Sequence, residues 1–194
     1  MSDNNQQSTV VILISGRGSN MMSIVKAMQE DNLPINIAAV ISNRPNVAGL
    51  NFAQQAGIHA TAIDHKNFQS RELFDQALAQ EIDKYNPDLV VLAGFMRILT
   101  EEFVDHFAGR LINIHPSLLP KYKGLNTHQR AIDAGDKEHG ASVHFVTAEL
   151  DDGPVVLQKH VAILDDDTAN TLAARVLEQE HILYPEAIKL IVTE

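Results

Sequence analysis

The sequence predicts a single α/β domain: a mostly parallel central sheet with helices on both faces, closed at its C-terminal end by an antiparallel pair of strands. Three observations carry this. Short apolar runs rich in β-branched residues alternate along the chain with segments of helical periodicity. Gly57, Pro87 and Gly135 punctuate the junctions between them. Two further strand-like runs, 141–146 and 155–161, are separated only by the turn-forming stretch 149–154. The chain has 194 residues with 45% hydrophobic content, enough for one such domain with a core, and no internal repeat marks a second.

Taken in order, Met1 to Ser8 is polar and aperiodic and is expected to be a disordered tail, which leaves 9–194 as the domain. Thr9 to Ile14 is a continuous β-branched run, the pattern of a strand buried on both faces. Ser15-Gly16-Arg17-Gly18-Ser19-Asn20 follows, and Met21 to Glu30 carries apolar residues three to four apart, so the unit reads strand, glycine loop, helix. A second strand, Ile35 to Ser42, leads to a short helix, Val47 to Ala56, and His59 to Ile63 is a third strand. Ser70 to Tyr85 places Leu73, Phe74, Ala77, Leu78, Ile82 and Tyr85 on one stripe of an amphipathic helix. Leu89 to Leu92 is a fourth strand, and Thr100-Glu101-Glu102 opens the next helix with a capping hydroxyl and dipole-matched acids. Leu111 to His115 is a fifth strand, Thr127 to Ala134 a helix, and Ala141 to Val146 and Val155 to Val161 the closing pair. A last helix starts near Thr168 and is expected to break or kink at Pro185. The whole is Rossmann-like.

The densest chemistry lies at Asn113-Ile114-His115-Pro116-Ser117-Leu118-Leu119-Pro120. Residues i and i+2 of a strand point the same way, so Asn113 and His115 share a face, with Pro116 ending the strand behind them. A carboxamide can steady an oxyanion and an imidazole can exchange a proton near neutrality, a pair suited to acyl-type transfer; a buried polar pair capping a strand end is the plainer alternative. A carboxylate beside His115 would favour the imidazolium, and either Asp151 or Asp152 could supply it.

Gly16 and Gly18 let backbone N–H groups and a helix N-terminus approach an anion; the loop lacks a third glycine and a Gly-Lys-Ser/Thr ending. A sugar-phosphate monoester therefore fits better than a dinucleotide, against a simple capped turn. Arg71, in the first turn of its helix, opposes the dipole and hints at an anionic partner, or is merely solvated. Phe95, Met96, Ile98 and Leu99 form an apolar loop that either walls a flat ligand or fills the core.

Composition narrows the classes. No cysteine is present, which removes disulfides, thiolate zinc and a cysteine nucleophile. His115, His128, His139 and His144 lack the helical spacing of a zinc hydrolase, so no metal is expected, and no G-x-S-x-G elbow exists. The net charge of −10 disfavours a nucleic-acid surface. Without a leader or a spanning run, the chain is expected to be cytoplasmic, with no membrane partner.

The stretch 113–120, with Leu150-Asp151-x-Gly153-Pro154, resembles the formyltransferases that use 10-formyltetrahydrofolate. The stretches 14–20, Ala93-Gly94-Phe95-Met96-Arg97-Ile98-Leu99 and Gln179-Glu180-His181 make it similar to the branch acting on 5-phosphoribosylglycinamide, from about Val10 to Pro185. The resemblance implies a single-domain formyltransferase fold, no metal, and 10-formyltetrahydrofolate as co-substrate. It implies that Asn113, His115 and Asp151 are catalytic. Gly16, Arg17, Gly18, Ser19, Asn20 and Glu180 would bind the ribonucleotide, and Arg71, Met96, Arg97, Ile98, Leu99 and Asn113 the folate. Two positions depart from the pattern: Asn126 replaces a frequent histidine and Lys123 a frequent proline. Relatives that act on initiator tRNA or hydrolyse formyl-folate fit less well, since the charge is −10 and the length leaves no room for their extra domains. A sugar-phosphate binding module would leave Asn113, His115 and Asp151 without a purpose. A monomer or weak homodimer is expected.

Overall fold

The computed structural model describes residues 7–30 and 33–194. Among them the order is β1 (Ser8–Ile14), α1 (Ser19–Glu30), β2 (Ile35–Ser42), α2 (Ala48–Gln55), β3 (Ala60–Ala62), α3 (Arg71–Asp83), β4 (Leu89–Leu92) and α4 (Glu101–His106). Then come β5 (Leu111–His115), α5 (Thr127–Asp133), β6 (Glu138–Phe145), β7 (Val155–Ala162) and α6 (Ala169–Thr193). The sheet order is β3-β2-β1-β4-β5-β6-β7. The strands from β1 to β5 pair in parallel, and β6 and β7 pair antiparallel. The predicted fold class is the one observed. Most of the predicted disordered tail, residues 1–6, lies outside the described residues, and Ser8 already pairs with Ile35.

Alternation along β1 builds two cores, one on each face of the sheet. Val10, Ile12 and Ile14 join the side chains of α1 and α6, whereas Val11 and Leu13 join those of α3 and α4. A strand buried on both sides must be apolar at every position, and Val10 to Ile14 are all 0% exposed. α1 starts before its apolar stripe: Met22 N–H bonds the Gly18 carbonyl at 2.9 Å, drawing Ser19 and Asn20 into the first turn. α6 runs through Pro185 as one helix, unlike the predicted break. Proline there removes a single backbone donor, and Leu183, Tyr184, Ala187 and Ile188, all 0% exposed, hold both halves against the sheet. Among the described residues no helix is long and apolar enough to cross a membrane.

Tyr184 pins α6 across two strands. Its hydroxyl donates to the Leu92 carbonyl at 2.8 Å, with the Ile112 carbonyl at 3.3 Å, and burial pushes its pKa well above the ordinary value. Tyr184→Phe is expected to cost about 1–2 kcal/mol, read as a lowered urea midpoint with an unchanged slope.

The strand order reverses between β1 and β4, where the connections leave in opposite directions and open a crevice beyond the carboxyl ends. The glycine loop follows β1, the Ala93 to Leu99 loop follows β4, and His115 ends β5. α2 supports the glycine loop at close range, with Gly49 N–H 3.2 Å from the Gly16 carbonyl. Only glycine fits at 49, because an added Cβ would lie 2.5 Å from Ile14 Cδ1 and 2.9 Å from the Gly16 oxygen.

Candidate active site

β5 delivers Asn113 and His115 to the same face at its carboxyl end, and the turn between β6 and β7 brings a carboxylate to them. His115 Nδ1 is 3.4 Å from Asp151 Oδ2, with both side chains nearly buried. Its Nε2 faces the Tyr122 carbonyl at 2.9 Å. Both ring nitrogens therefore face oxygen atoms, one a carboxylate and one a carbonyl. Asp151 Oδ2 also accepts the Gly124 N–H at 2.9 Å, which ties the 121–126 loop to the turn. The neighbouring Asp152 instead pairs with Lys123, so of the two candidate carboxylates only Asp151 serves His115. The unusual Lys123 thereby acquires a partner, and Arg130 braces the same loop by donating to the Lys123 carbonyl at 2.7 Å.

Three residues around His115 adopt left-handed backbone: Tyr122 (φ 55), Asn126 (φ 57) and Asp151 (φ 51). Such conformations cost about 1–3 kcal/mol each and collect where a site needs them. At Tyr122 the conformation accompanies a carbonyl turned to His115; at Asp151 it accompanies a carboxylate held between His115 and Gly124.

His144 belongs to this site, a placement sequence reasoning missed. It lies opposite Asn113 across the β5–β6 pairing. Its Nδ1 faces the Phe145 carbonyl at 2.9 Å and Nε2 the Asn113 amide nitrogen at 3.5 Å. Burial lowers its pKa, opposed by the Phe145 carbonyl and by Asp151 3.7 Å away. A neutral ring then donates from Nδ1 and accepts at Nε2, which points the Asn113 amide NH₂ inward and leaves its second N–H for a ligand. The only sequence signal was the alternation of β6, which gives a face but not a partner.

The second part of the site is a cavity of about 320 Å³ walled by 15–20, by Arg44 beyond β2, and by Ala93, Gly94 and Met96 beyond β4. Gly16, Arg17, Gly18 and Ser19 sit at its rim with α1 pointing its N-terminus there. Asn20 Nδ2 donates to Glu180 Oε2 at 2.8 Å, joining α1 to α6. Burial raises the Glu180 pKa, partly offset by that donor. The buried Asn20 Oδ1 has no hydrogen-bond partner among the described residues. Arg44, which the sequence did not single out, adds a second guanidinium to that of Arg17.

The loop after β4 is divided. Met96 and Ile98 are 70% and 66% exposed and can wall a flat ligand, whereas Phe95 packs into the α3–α4 core and so is filler. Arg97 stacks 4.9 Å over Phe74. Leu99 is half-buried against the same core. Arg71 stays exposed at the start of α3, 4.0 Å from Glu72. Asp75, one turn further, accepts the Thr100 N–H at 2.7 Å and anchors the end of the loop. Burial raises the Asp75 pKa, against the charges of Arg97 and Arg71.

Behind the 116–126 loop, His139 Nε2 meets His128 Nδ1 at 3.1 Å. Burial, then the His128 charge, lowers the His139 pKa to about 4. The unfolded chain, titrating near 6.5, binds more protons between these values, so stability should fall as pH drops from 6.5 towards 4. A loss of about 1–3 kcal/mol is expected in urea unfolding between pH 7.5 and 4.5, reduced in His139→Gln.

Residues 8–188 match the formyl transferase family. The chain is 53% identical to the phosphoribosylglycinamide formyltransferase of Escherichia coli over 92% of its own length and 84% of that protein. It is 42% identical to the human trifunctional purine biosynthetic protein adenosine-3, covering 18% of that longer chain. Among solved structures, the phosphoribosylglycinamide formyltransferase of Coxiella burnetii superposes with a TM-score of 0.92 at 52% identity, covering 96% of this chain and 88% of that one. The glycinamide ribonucleotide transformylase 1 of Symbiobacterium toebii gives a TM-score of 0.93 at 42% identity over 97% and 89%. At this identity and coverage the chain belongs to the formyl transferase family, alongside the phosphoribosylglycinamide formyltransferases.

Proposed function

We propose that this site transfers the formyl group of 10-formyltetrahydrofolate to the amine of 5-phosphoribosylglycinamide, giving formylglycinamide ribonucleotide and tetrahydrofolate in de novo purine (IMP) synthesis. The observation that carries the reading is His115 held between Asp151 at 3.4 Å and the Tyr122 carbonyl at 2.9 Å, beside an Asn113 amide oriented by His144. The amine nitrogen attacks the formyl carbon and makes a tetrahedral oxyanion. The free N–H of Asn113 stabilises that oxygen, joined by the His115 Nε2–H as it turns from the Tyr122 carbonyl to the substrate. Collapse breaks the bond from carbon to N10; His115 delivers a proton to N10 and takes back the one the attacking amine loses, so a proton replaces the formyl group on the folate and the ring returns to its starting state. Asp151 orients the ring and balances its charge.

The ribonucleotide phosphate sits on Gly16, Arg17, Gly18 and Ser19 at the start of α1, with Asn20 and Glu180 towards the glycinamide end. The folate occupies the side of Arg71, Met96, Arg97, Ile98, Leu99 and Asn113. Met96 contributes through its side chain and carbonyl, since its N–H is already bonded to Ser15 Oγ at 2.7 Å. No metal takes part, and the enzyme works in the cytoplasm as a monomer or weak homodimer, without nucleic acid; a net charge of −10 supports the last point. Mixing protein with both substrates and following tetrahydrofolate release by absorbance tests the reading. Release that requires the ribonucleotide supports it, and equal release without the ribonucleotide would make the chain a hydrolase of the folate.

A further inference from the structure

Ser15, the residue that follows β1, is not among the substrate-binding residues proposed above, yet its hydroxyl joins the two halves of the site. Its Oγ accepts the Met96 N–H at 2.7 Å and donates to Asn43 Oδ1 at 2.5 Å. Ser15 and Asn43 are inside the protein, 3% and 1% exposed, whereas the Met96 that Ser15 holds is an exposed residue. Asn43, beyond β2, is held in turn by the His65 ring, whose Nδ1 lies 2.8 Å from the Asn43 carbonyl. Because the Ser15 proton is committed to Asn43, the Ser15 lone pairs are directed at the Met96 amide.

The position matters as much as the bonds. Ser15 is covalently continuous with the glycine loop, and Met96 stands in the loop after β4. Both line the same 320 Å³ cavity. Phe95 and Leu99 anchor the β4 loop on the α3–α4 side, but the Met96 and Ile98 side chains, on the cavity side, are 70% and 66% exposed and anchor nothing there. Two polar contacts fasten it, Met96 to Ser15 near its start and Thr100 to Asp75 at its end. Only the first reaches the loop that faces the anion.

We propose that Ser15, oriented by Asn43, is a positioning residue that couples the two substrate sites: occupation of the glycine loop by the sugar phosphate orders Ser15, and Ser15 orders the folate-side loop through the Met96 amide. This rests on the assignment of the two sites given above. An anion on the glycine loop restricts the backbone at Ser15 and Gly16, so a later folate meets a loop whose ordering cost is already met. Linkage makes the effect reciprocal: each ligand tightens the other by the same factor, and such factors commonly fall between about 5 and 150.

The test uses a pair of ligands that cannot react, 5-phosphoribosylglycinamide and tetrahydrofolate. Calorimetry measures the tetrahydrofolate Kd with and without saturating ribonucleotide, in the native protein, in Ser15→Ala and in Asn43→Leu. The native ratio is expected to be about fivefold or more, and about twofold or less in Ser15→Ala. Asn43→Leu, which keeps the serine but frees its proton, should give an intermediate ratio. Far-UV dichroism and urea midpoints identify any variant that fails to fold. If Ser15→Ala does fail, Asn43→Leu decides, and Asn43→Asp, which keeps the acceptor, should restore the native ratio. A folded Ser15→Ala or Asn43→Leu protein that keeps the native ratio overturns the coupling, as does a native ratio of one with both ligands bound. A native protein that binds neither ligand overturns the site assignment itself, and the coupling with it.

Discussion

Replacing His115 by alanine is expected to lower kcat by about 10² to 10³, with the ribonucleotide Kd within about threefold of native. The split follows from where His115 sits. It is 6% exposed at the end of β5 and does not line the cavity at the glycine loop, so the phosphate contacts survive its loss. The lost interactions belong to the tetrahedral state and to the departing nitrogen, which appear after binding. Truncation also leaves Asp151 Oδ2 with the Gly124 N–H at 2.9 Å as its remaining partner, and a nearly buried carboxylate that loses a polar neighbour is costly. Part of the measured loss would therefore be repacking of the 121–126 loop, and His115→Asn, which preserves an N–H donor, should retain more activity than alanine. Steady-state kinetics of both variants, beside ribonucleotide binding by calorimetry, separates the two parts. An alanine variant with a raised KM and native kcat would place His115 in binding alone.

Gly153→Ala should have the largest effect on folding, about 3 kcal/mol or more, and should remove activity with it. A Cβ at Gly153 would lie 1.7 Å from the Phe145 oxygen and 2.8 Å from its carbonyl carbon. Those atoms are backbone, so no rotamer change relieves the overlap, and the turn must move off β6. The neighbouring Pro154 carbonyl accepts the Phe145 N–H at 2.9 Å, and that contact would be lost. Asp151 lies two residues away in left-handed backbone, and a displaced turn carries its carboxylate from His115. Urea unfolding and tetrahydrofolate release measured on the same preparation should fall together. Native stability with native turnover would show that the turn tolerates the methyl group.

Much of the fold was legible because its central strands β1 and β4 are buried on both faces along their cores and are apolar there. β1 and β4 read as unbroken apolar runs for that reason, and Asn113 and His115 stood out as polar residues at the end of a third. Boundaries were less legible where polar side chains enter a helix, as at Ser19 and Asn20, or where packing outweighs a local breaker, as at Pro185. The site divides along the same line. Contacts within one element were readable, such as the shared face of Asn113 and His115. Contacts set by strand register were not: His144 meets Asn113 only because β6 pairs with β5 in the observed alignment, and 22 residues, 116–137, separate those strands. Ser15 meets Asn43 because β1 and β2 run in parallel with Ile14 beside Ser42. The choice between Asp151 and Asp152 likewise needed the backbone, whose left-handed turn at Asp151 accompanies one carboxylate facing the histidine and the other facing Lys123. Phe95, a candidate wall by composition, belongs to the core because the chain turns inward at that residue.

Transfer of a labelled carbon is the most direct measurement. The protein would be incubated with 10-formyltetrahydrofolate carrying ¹³C in the formyl group and with 5-phosphoribosylglycinamide, and the products followed by NMR. The label should pass from the folate to the amide of formylglycinamide ribonucleotide, at a rate that collapses in His115→Ala. Label appearing as free formate at the same rate with or without the ribonucleotide would contradict a transferase.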